Sequence, residues 1–129
     1  MGSENVEIVG RLYECFRTGD NETPFRYFDA DIVWITHDIR IPDIDRVYHG
    51  HEGVRAFWRQ WLSAWDELEW EIAELEELKD GRVRVEIHQR NKGKGTGIWI
   101  EQRPYEQIWT IADGKVIRVD YHELDQGQS

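Results

Sequence analysis

Residues 66–79, DELEWEIAELEELK, admit two readings, and the choice between them decides the fold. Leu68, Trp70 and Ile72 alternate as in a half-buried strand, whereas Leu68, Ile72 and Leu75 also recur at helical spacing in a helix-forming composition. Periodicity alone leaves both open. Two features favour the strand. Asp80-Gly81 follows directly, a hairpin signal that calls for a partner to the strand beginning at Arg82. In a helix, Glu67 and Glu71 would repel one another at i, i+4. As a strand, the change of phase between Ile72 and Leu75 requires a bulge.

Downstream, a second Asp-Gly pair, Asp113-Gly114, again separates apolar runs. Residues 82–91, 96–111 and 115–123 therefore read as strands of an antiparallel meander, with the Gly93/Gly95/Gly97 stretch as a turn. Upstream, Val54, Phe57, Trp58, Trp61, Leu62 and Trp65 recur at helical spacing and give a helix with a broad aromatic face. Residues 31–36, DIVWIT, are β-branched and aromatic and read as a strand with Ile32, Trp34 and Thr36 on one side. Thr23-Pro24 opens a short helix to about Phe28, and residues 4–18 form a helix with the stripe Val9, Leu12, Tyr13, Phe16. Helix, helix, strand, helix and then antiparallel strands make an α+β domain with helices on one face of a bent sheet.

The chain has 129 residues, with 16 Lys and Arg against 26 Asp and Glu, a net charge of −10. This length fits one domain, residues 1–129, whose core needs neither a disulfide framework nor a metal. Cys15 is the single cysteine. With no basic, apolar export signal in residues 1–10, it fits a reducing cytoplasm. No apolar run approaches the roughly 20 residues of a bilayer span. A strongly acidic chain with scattered basic residues excludes nucleic acid as a partner. Seven Trp, five Tyr and four Phe at a mean hydropathy of −0.72 concentrate the apolar surface in a few large rings, which suits a lined cavity.

The segments ENVEIVGRLYECFRTGD, YFDADIVWIT, VYHGHEGVRAFWRQWLSAW and IWTIADGKVIRVDY resemble the SnoaL-like polyketide cyclase domains of the nuclear transport factor 2-like superfamily. That resemblance implies a cystatin-like, cone-shaped α+β barrel. Three N-terminal helices would pack into a strongly curved antiparallel sheet around an apolar pocket, often in a homodimer. It also implies that residues 66–79 are a strand. The superfamily holds isomerases, hydrolases, cyclases and non-catalytic binding domains, so a reaction does not follow from membership.

Pairing the last hairpin as a two-residue turn sets Glu106 opposite Tyr121 and Ile108 opposite Val119, with Tyr105, Gln107 and Trp109 on the other face. By the resemblance, the pocket side of the final strand falls on Val119, Tyr121 and Glu123. Glu106 would then enter the cavity, and Glu106 with Tyr121 would form a catalytic proton-donor or hydrogen-bond pair. The alternative is a Glu106 at the barrel rim, solvated or ion-paired. The other pocket positions implied are Leu12, Phe16, Trp34, Thr36, Tyr48, Trp58, Trp61 and Ile108. Against ketosteroid isomerase, the general base falls on Thr36 and the oxyanion tyrosine on Leu12, with Tyr13 one place off; Asp38 is the candidate replacement base. Against limonene epoxide hydrolase, Arg84-Val85-Glu86 matches an Arg-x-carboxylate pair, but its third acid falls on Tyr121. Val83, Val85 and Ile87 are the more natural lining, leaving Arg84, Glu86 and His88 outside.

His37, Asp38, Asp43, Asp45, His49 and His51 crowd one loop without a recognisable ligand spacing, so no metal and no cofactor are expected. The expected partner is a small apolar organic molecule. The functional readings are a cofactor-independent enzyme or a non-catalytic small-molecule-binding domain. Rings at Trp99, Trp109 and Tyr105 on the outer sheet face predict a homodimer through that face.

Overall fold

The computed structural model describes residues 3–37, 45–102 and 104–124. Helix α1 (Ser3–Thr18) is followed by a 3-10 turn (Thr23–Arg26), β1 (Phe28–Thr36), β2 (Val47–His49) and α2 (Gly50–Ser63). Strands β3 (Trp65–Glu77), β4 (Val83–Gly93), β5 (Trp99–Glu101), β6 (Tyr105–Ala112) and β7 (Lys115–Glu123) complete the chain. Among the described residues, seven strands form one sheet in the order β2-β1-β7-β6-β4-β3, with β5 paired to β4. The sheet is curved and open rather than closed into a barrel, and β1 and β7 run parallel while the other pairs are antiparallel. The third helical segment is the single 3-10 turn, started by Pro24.

The undecided segment is a strand. Leu68, Trp70 and Ile72 face Asn91, Gln89 and Ile87, the register then shifts between Ile72 and Glu74, and Leu75 faces Val85. The extra residue at the shift is Ala73, and it returns Leu75 to the side that packs on the core. Trp65 begins β3 instead of closing α2, which ends at Ser63. The strand expected over 96–111 divides into β5 and β6, with Pro104, which has no N–H for a ladder, between them.

A second bulge changes the face of β6. Asp113 and Gly114 both have positive φ, 51° and 77°, as a two-residue type I′ turn requires, and Ala112 pairs with Lys115 and Ile111 with Val116. Beyond that, Thr110 pairs with Arg118, so Ile117 is the extra residue and every later pair is displaced by one. Gln107, not Glu106, lies opposite Tyr121, and Trp109, not Ile108, lies opposite Val119. Because side chains alternate strictly, this slip sends Tyr105, Gln107 and Trp109 inward and Glu106 and Ile108 outward. Trp109 is fully buried and Tyr105 nearly so. Of the three rings used to argue for a dimer, Trp99 alone therefore remains on a surface, where the Arg90 guanidinium sits 4.5 Å from its ring centre.

The core lies between the inner sheet face and the two helices. Val9 and Leu12 of α1 and Val54 and Phe57 of α2 meet Ile32, Trp34, Val83, Val85, Val116 and Val119 of the sheet. No described helix is long and apolar enough to cross a membrane.

Candidate functional site

Between the two helices and the inner face of the sheet lies a cavity of about 300 Å³, at the small end of ligand pockets. One wall is aromatic. Phe16 of α1, Trp34 of β1, and Phe57, Trp58 and Trp61 of α2 contribute rings, with Trp70 of β3 beside Tyr13. Phe16 and Trp34 pack edge to face on Trp58, at 5.5 Å and 6.2 Å, while Phe57 and Trp61 stack at 6.3 Å. The edge-to-face arrangement presents partly positive ring edges to partly negative faces and fixes the wall as a unit. The opposite wall, from β4, β6 and β7, is polar but carries no charge: Gln89, Tyr105, Gln107 and Tyr121.

Two hydrogen-bond chains organise the polar wall. Trp109 Nε1–H donates to the Tyr13 hydroxyl at 3.2 Å, and Tyr13 donates to Gln107 Oε1. In the second chain, Tyr105 donates to Gln89 Oε1 at 2.6 Å, Gln89 to Asn91 Oδ1 at 2.7 Å, and Asn91 to Gln102 Oε1 at 2.8 Å. Gln102 then donates to the Tyr121 hydroxyl at 3.0 Å, and the Tyr105 and Tyr121 rings stack at 4.6 Å. Buried amides persist here because each finds partners inside the fold. Burial pushes the Tyr13 hydroxyl far above the ordinary tyrosine range, against the opposing hydrogen bond from Trp109, and burial likewise raises Tyr105. Both phenols are therefore neutral hydrogen-bonding groups at physiological pH. Among the described lining residues there is no Asp, Glu, His, Lys, Arg or Cys. The indole N–H of Trp34 is fully buried and has no partner among the described residues.

The expected catalytic pair is not assembled. Tyr121 lines the cavity, but Glu106 lies on the outer face, bound to Arg84 Nε. Arg84 also reaches Glu74 at 2.7 Å, Glu86 at 3.3 Å and Glu76 at 3.5 Å. Glu106 is ion-paired, but on the outer sheet face instead of at the rim, and the bulge at Ile117 is the cause. Arg84, Glu86 and His88 face outward together while Val83, Val85 and Ile87 are buried. This places the Arg-x-carboxylate pair outside the cavity. His88 and Arg84 hold Glu86 below the usual carboxylate range against the opposing effect of desolvation.

Of the implied lining, Phe16, Trp34, Trp58 and Trp61 border the cavity. Leu12 and Val119 lie beneath it as fully buried core. Thr36 is buried and donates to the Asp45 carbonyl at 2.6 Å. Tyr48 accepts from Asp45 N–H at 2.7 Å, donates to Gln60 at 2.6 Å and supports the lining ring of Phe57 from behind, at 5.2 Å. Ile108 faces outward opposite Arg84 and Asp120, and Glu123 ends β7 opposite Tyr105, outside the lining. Asp38 and Asp43 lie outside the described residues.

Sequence reading missed Tyr13, Gln89, Tyr105 and Gln107. A signal existed for Gln89: Val83, Val85, Ile87, Gln89 and Asn91 form one continuous alternation, so the amides extend an apolar face. For Tyr13 the expected inward position was its neighbour Leu12, one place off on α1.

The histidine-rich loop splits between two settings. His51 Nε2 bonds the Phe28 carbonyl at 3.0 Å. His37 instead meets Asp120 at 2.9 Å on the outer face and stacks on His122 at 4.2 Å; the three offer ligand atoms within 4.8 Å of one another. Both Asp120 oxygens also accept from Arg118 at 2.9 Å. Desolvation pushes Asp120 up, but its bonds to Arg118 and His37 outweigh it and hold the carboxyl below its ordinary value.

The family model for the SnoaL-like domain matches residues 9–119. No curated protein sequence matches the chain. Among solved structures, TerC co-crystallised with polyporic acid superposes with a TM-score of 0.81 at 22% identity, covering 95% of this chain and 92% of that one. Bal32a, from a soil-derived mobile gene cassette, gives 0.82 at 22% identity over 96% and 92%. A protein of Jannaschia sp. CCS1 described as a SnoaL-like polyketide cyclase gives 0.75 at 22% identity over 93% and 85%. Likeness at this level of identity is likeness of fold.

Proposed function

Within the SnoaL-like domain family, to which this chain belongs, we propose that this cavity receives a flat, uncharged aromatic molecule and works as a binding site rather than a proton-transfer site. The observation that carries this reading is the neutrality of the described lining, whose polar groups are amides and phenols, with Tyr13 and Tyr105 held protonated by burial. General acid–base catalysis is most efficient with a group whose pKa lies near the working pH, and Glu106, the carboxylate expected to supply one, is engaged by Arg84 on the far side of the sheet. The ring wall of Phe16, Trp58 and Trp61 favours a planar ligand, since stacking and edge contacts reward flat surfaces beyond the area they bury. The co-crystal of TerC with polyporic acid supports a small organic occupant for a fold of this kind.

Titration with 2-acetylnaphthalene, a planar two-ring ketone, tests the proposal through the tryptophan emission of the protein. Saturable quenching is expected, weakened at least tenfold by Trp61→Ala, because one ring contact of the wall is lost. Absence of saturable binding by this compound, or its conversion to a product, contradicts a pure binding site for flat aromatics.

A further inference from the structure

We infer that the side-chain amide of Gln107 is a fixed hydrogen-bond donor in the cavity, so that the site selects aromatic ligands bearing a carbonyl oxygen; this rests on the binding reading above and names the ligand chemistry within it. The indole N–H of Trp109 has no accepting capacity, so at 3.2 Å it must donate to the Tyr13 oxygen. Tyr13 has one proton, and its contact to Gln107 Oε1 spends it. An amide turned the other way would leave the Tyr13 proton without an acceptor among the described residues, so the oxygen faces Tyr13 and the NH2 is what Gln107 has left. Among the described residues that NH2 has no partner, and Gln107 is half-buried on the cavity wall.

No other amide of the lining is placed this way. Gln89 accepts from Tyr105 and donates to Asn91, so both its ends are engaged, while Asn21 is exposed. The indole N–H of Trp34 is also without a partner, but its nitrogen is fully buried. A donor on a ring-lined cavity wall favours an acceptor on the ligand, and a ligand without one that covers it leaves the donor unpaired. Tyr13, whose proton is spent on Gln107, positions that amide.

The experiment compares 2-acetylnaphthalene with 2-isopropenylnaphthalene, a planar isostere in which a methylene replaces the carbonyl oxygen. The protein should prefer the ketone by about tenfold, the value of one net hydrogen bond. Gln107→Leu should abolish the preference while leaving affinity for the isostere equal or higher. Tyr13→Phe should reduce the preference partway, because the amide is then free to turn its oxygen inward. On the unaltered protein, the infrared carbonyl band of bound 2-acetylnaphthalene should lie below its position in an apolar solvent. A preference that survives Gln107→Leu, or an unshifted carbonyl band, overturns the assignment to Gln107 while the binding reading stands. Failure of both compounds to bind overturns the binding reading itself.

Discussion

The two faces of the β4–β6 pair carry opposite chemistry a side chain's length apart. Inward, Val83, Val85, Ile87, Gln89 and Asn91 run beside Tyr105, Gln107 and Trp109, and the hydrogen bonds of their side chains join neutral groups, with the Gln107 NH2 left over among the described residues. Outward, Arg84, Glu86 and Arg90 run beside Glu106, and charge is met by charge: Arg84 with Glu106, Arg90 with Glu69 at 2.7 Å. The difference follows from solvation. An ion inside the cavity would lose its water without a partner, whereas a neutral amide needs only one or two hydrogen bonds to be tolerated. Which face a residue occupies is set by register, and register here turns on Ile117.

Trp109→Ala attacks the neutral face where the bulge at Ile117 turns the largest ring inward. Trp109 is fully buried, and roughly 3–5 kcal/mol of stability should be lost in denaturant unfolding. Unchanged stability would mean that Trp109 does not pack in the core.

Gln107→Glu places a carboxylate on the neutral face. It should cost roughly 2–3 kcal/mol at pH 7. Desolvation raises the folded pKa of such a group above about 4.3, so the loss is absent at lower pH, grows as pH rises through that value, and levels off above the folded pKa. Stability measured from pH 4 to 8 would show the slope, and a flat profile would mean that the position is solvated.

On the charged face the sign reverses. Asp120 is held below its ordinary pKa in the folded protein, so it stabilises above about pH 3.9 and ceases to as pH falls through the folded value. Asp120→Asn should lose about 1–2 kcal/mol at pH 7 and converge with the parent in strong acid. The smallest effect is expected from Glu106→Gln, at about 1 kcal/mol or less, because Arg84 keeps Glu74 at 2.7 Å and the network is partly exposed. A large loss there would put Glu106 in a more demanding environment than the outer face.

The two bulges also explain how far the sequence could be read. At Ala73 the apolar phase visibly breaks between Ile72 and Leu75, so strand and bulge are both legible. At Ile117 the break is hidden, because Ile117, Val119 and Tyr121 form an uninterrupted apolar alternation and the extra residue looks like a member of it. The competing clue lay on β6. A face with Tyr105 and Trp109 has far more apolar area to bury than one with Glu106 and Thr110, and that difference outweighs an idealised two-residue hairpin register. The fold, governed by periodicities summed over whole elements, was therefore readable. The polar wall depended on one residue's displacement and on contacts between segments distant in sequence, as Tyr13 with Gln107 illustrates.

The neutrality of the cavity is tested most directly by the pH dependence of the dissociation constant for 2-acetylnaphthalene, which has no ionisable group between about pH 5.5 and 8.5, the range in which histidines and perturbed carboxylates titrate. With a described lining of amides, phenols, indoles and hydrocarbon side chains, the constant should stay within about twofold across that range. A change of about tenfold, following a single apparent pKa, would reveal a titrating group in contact with the ligand and contradict the account.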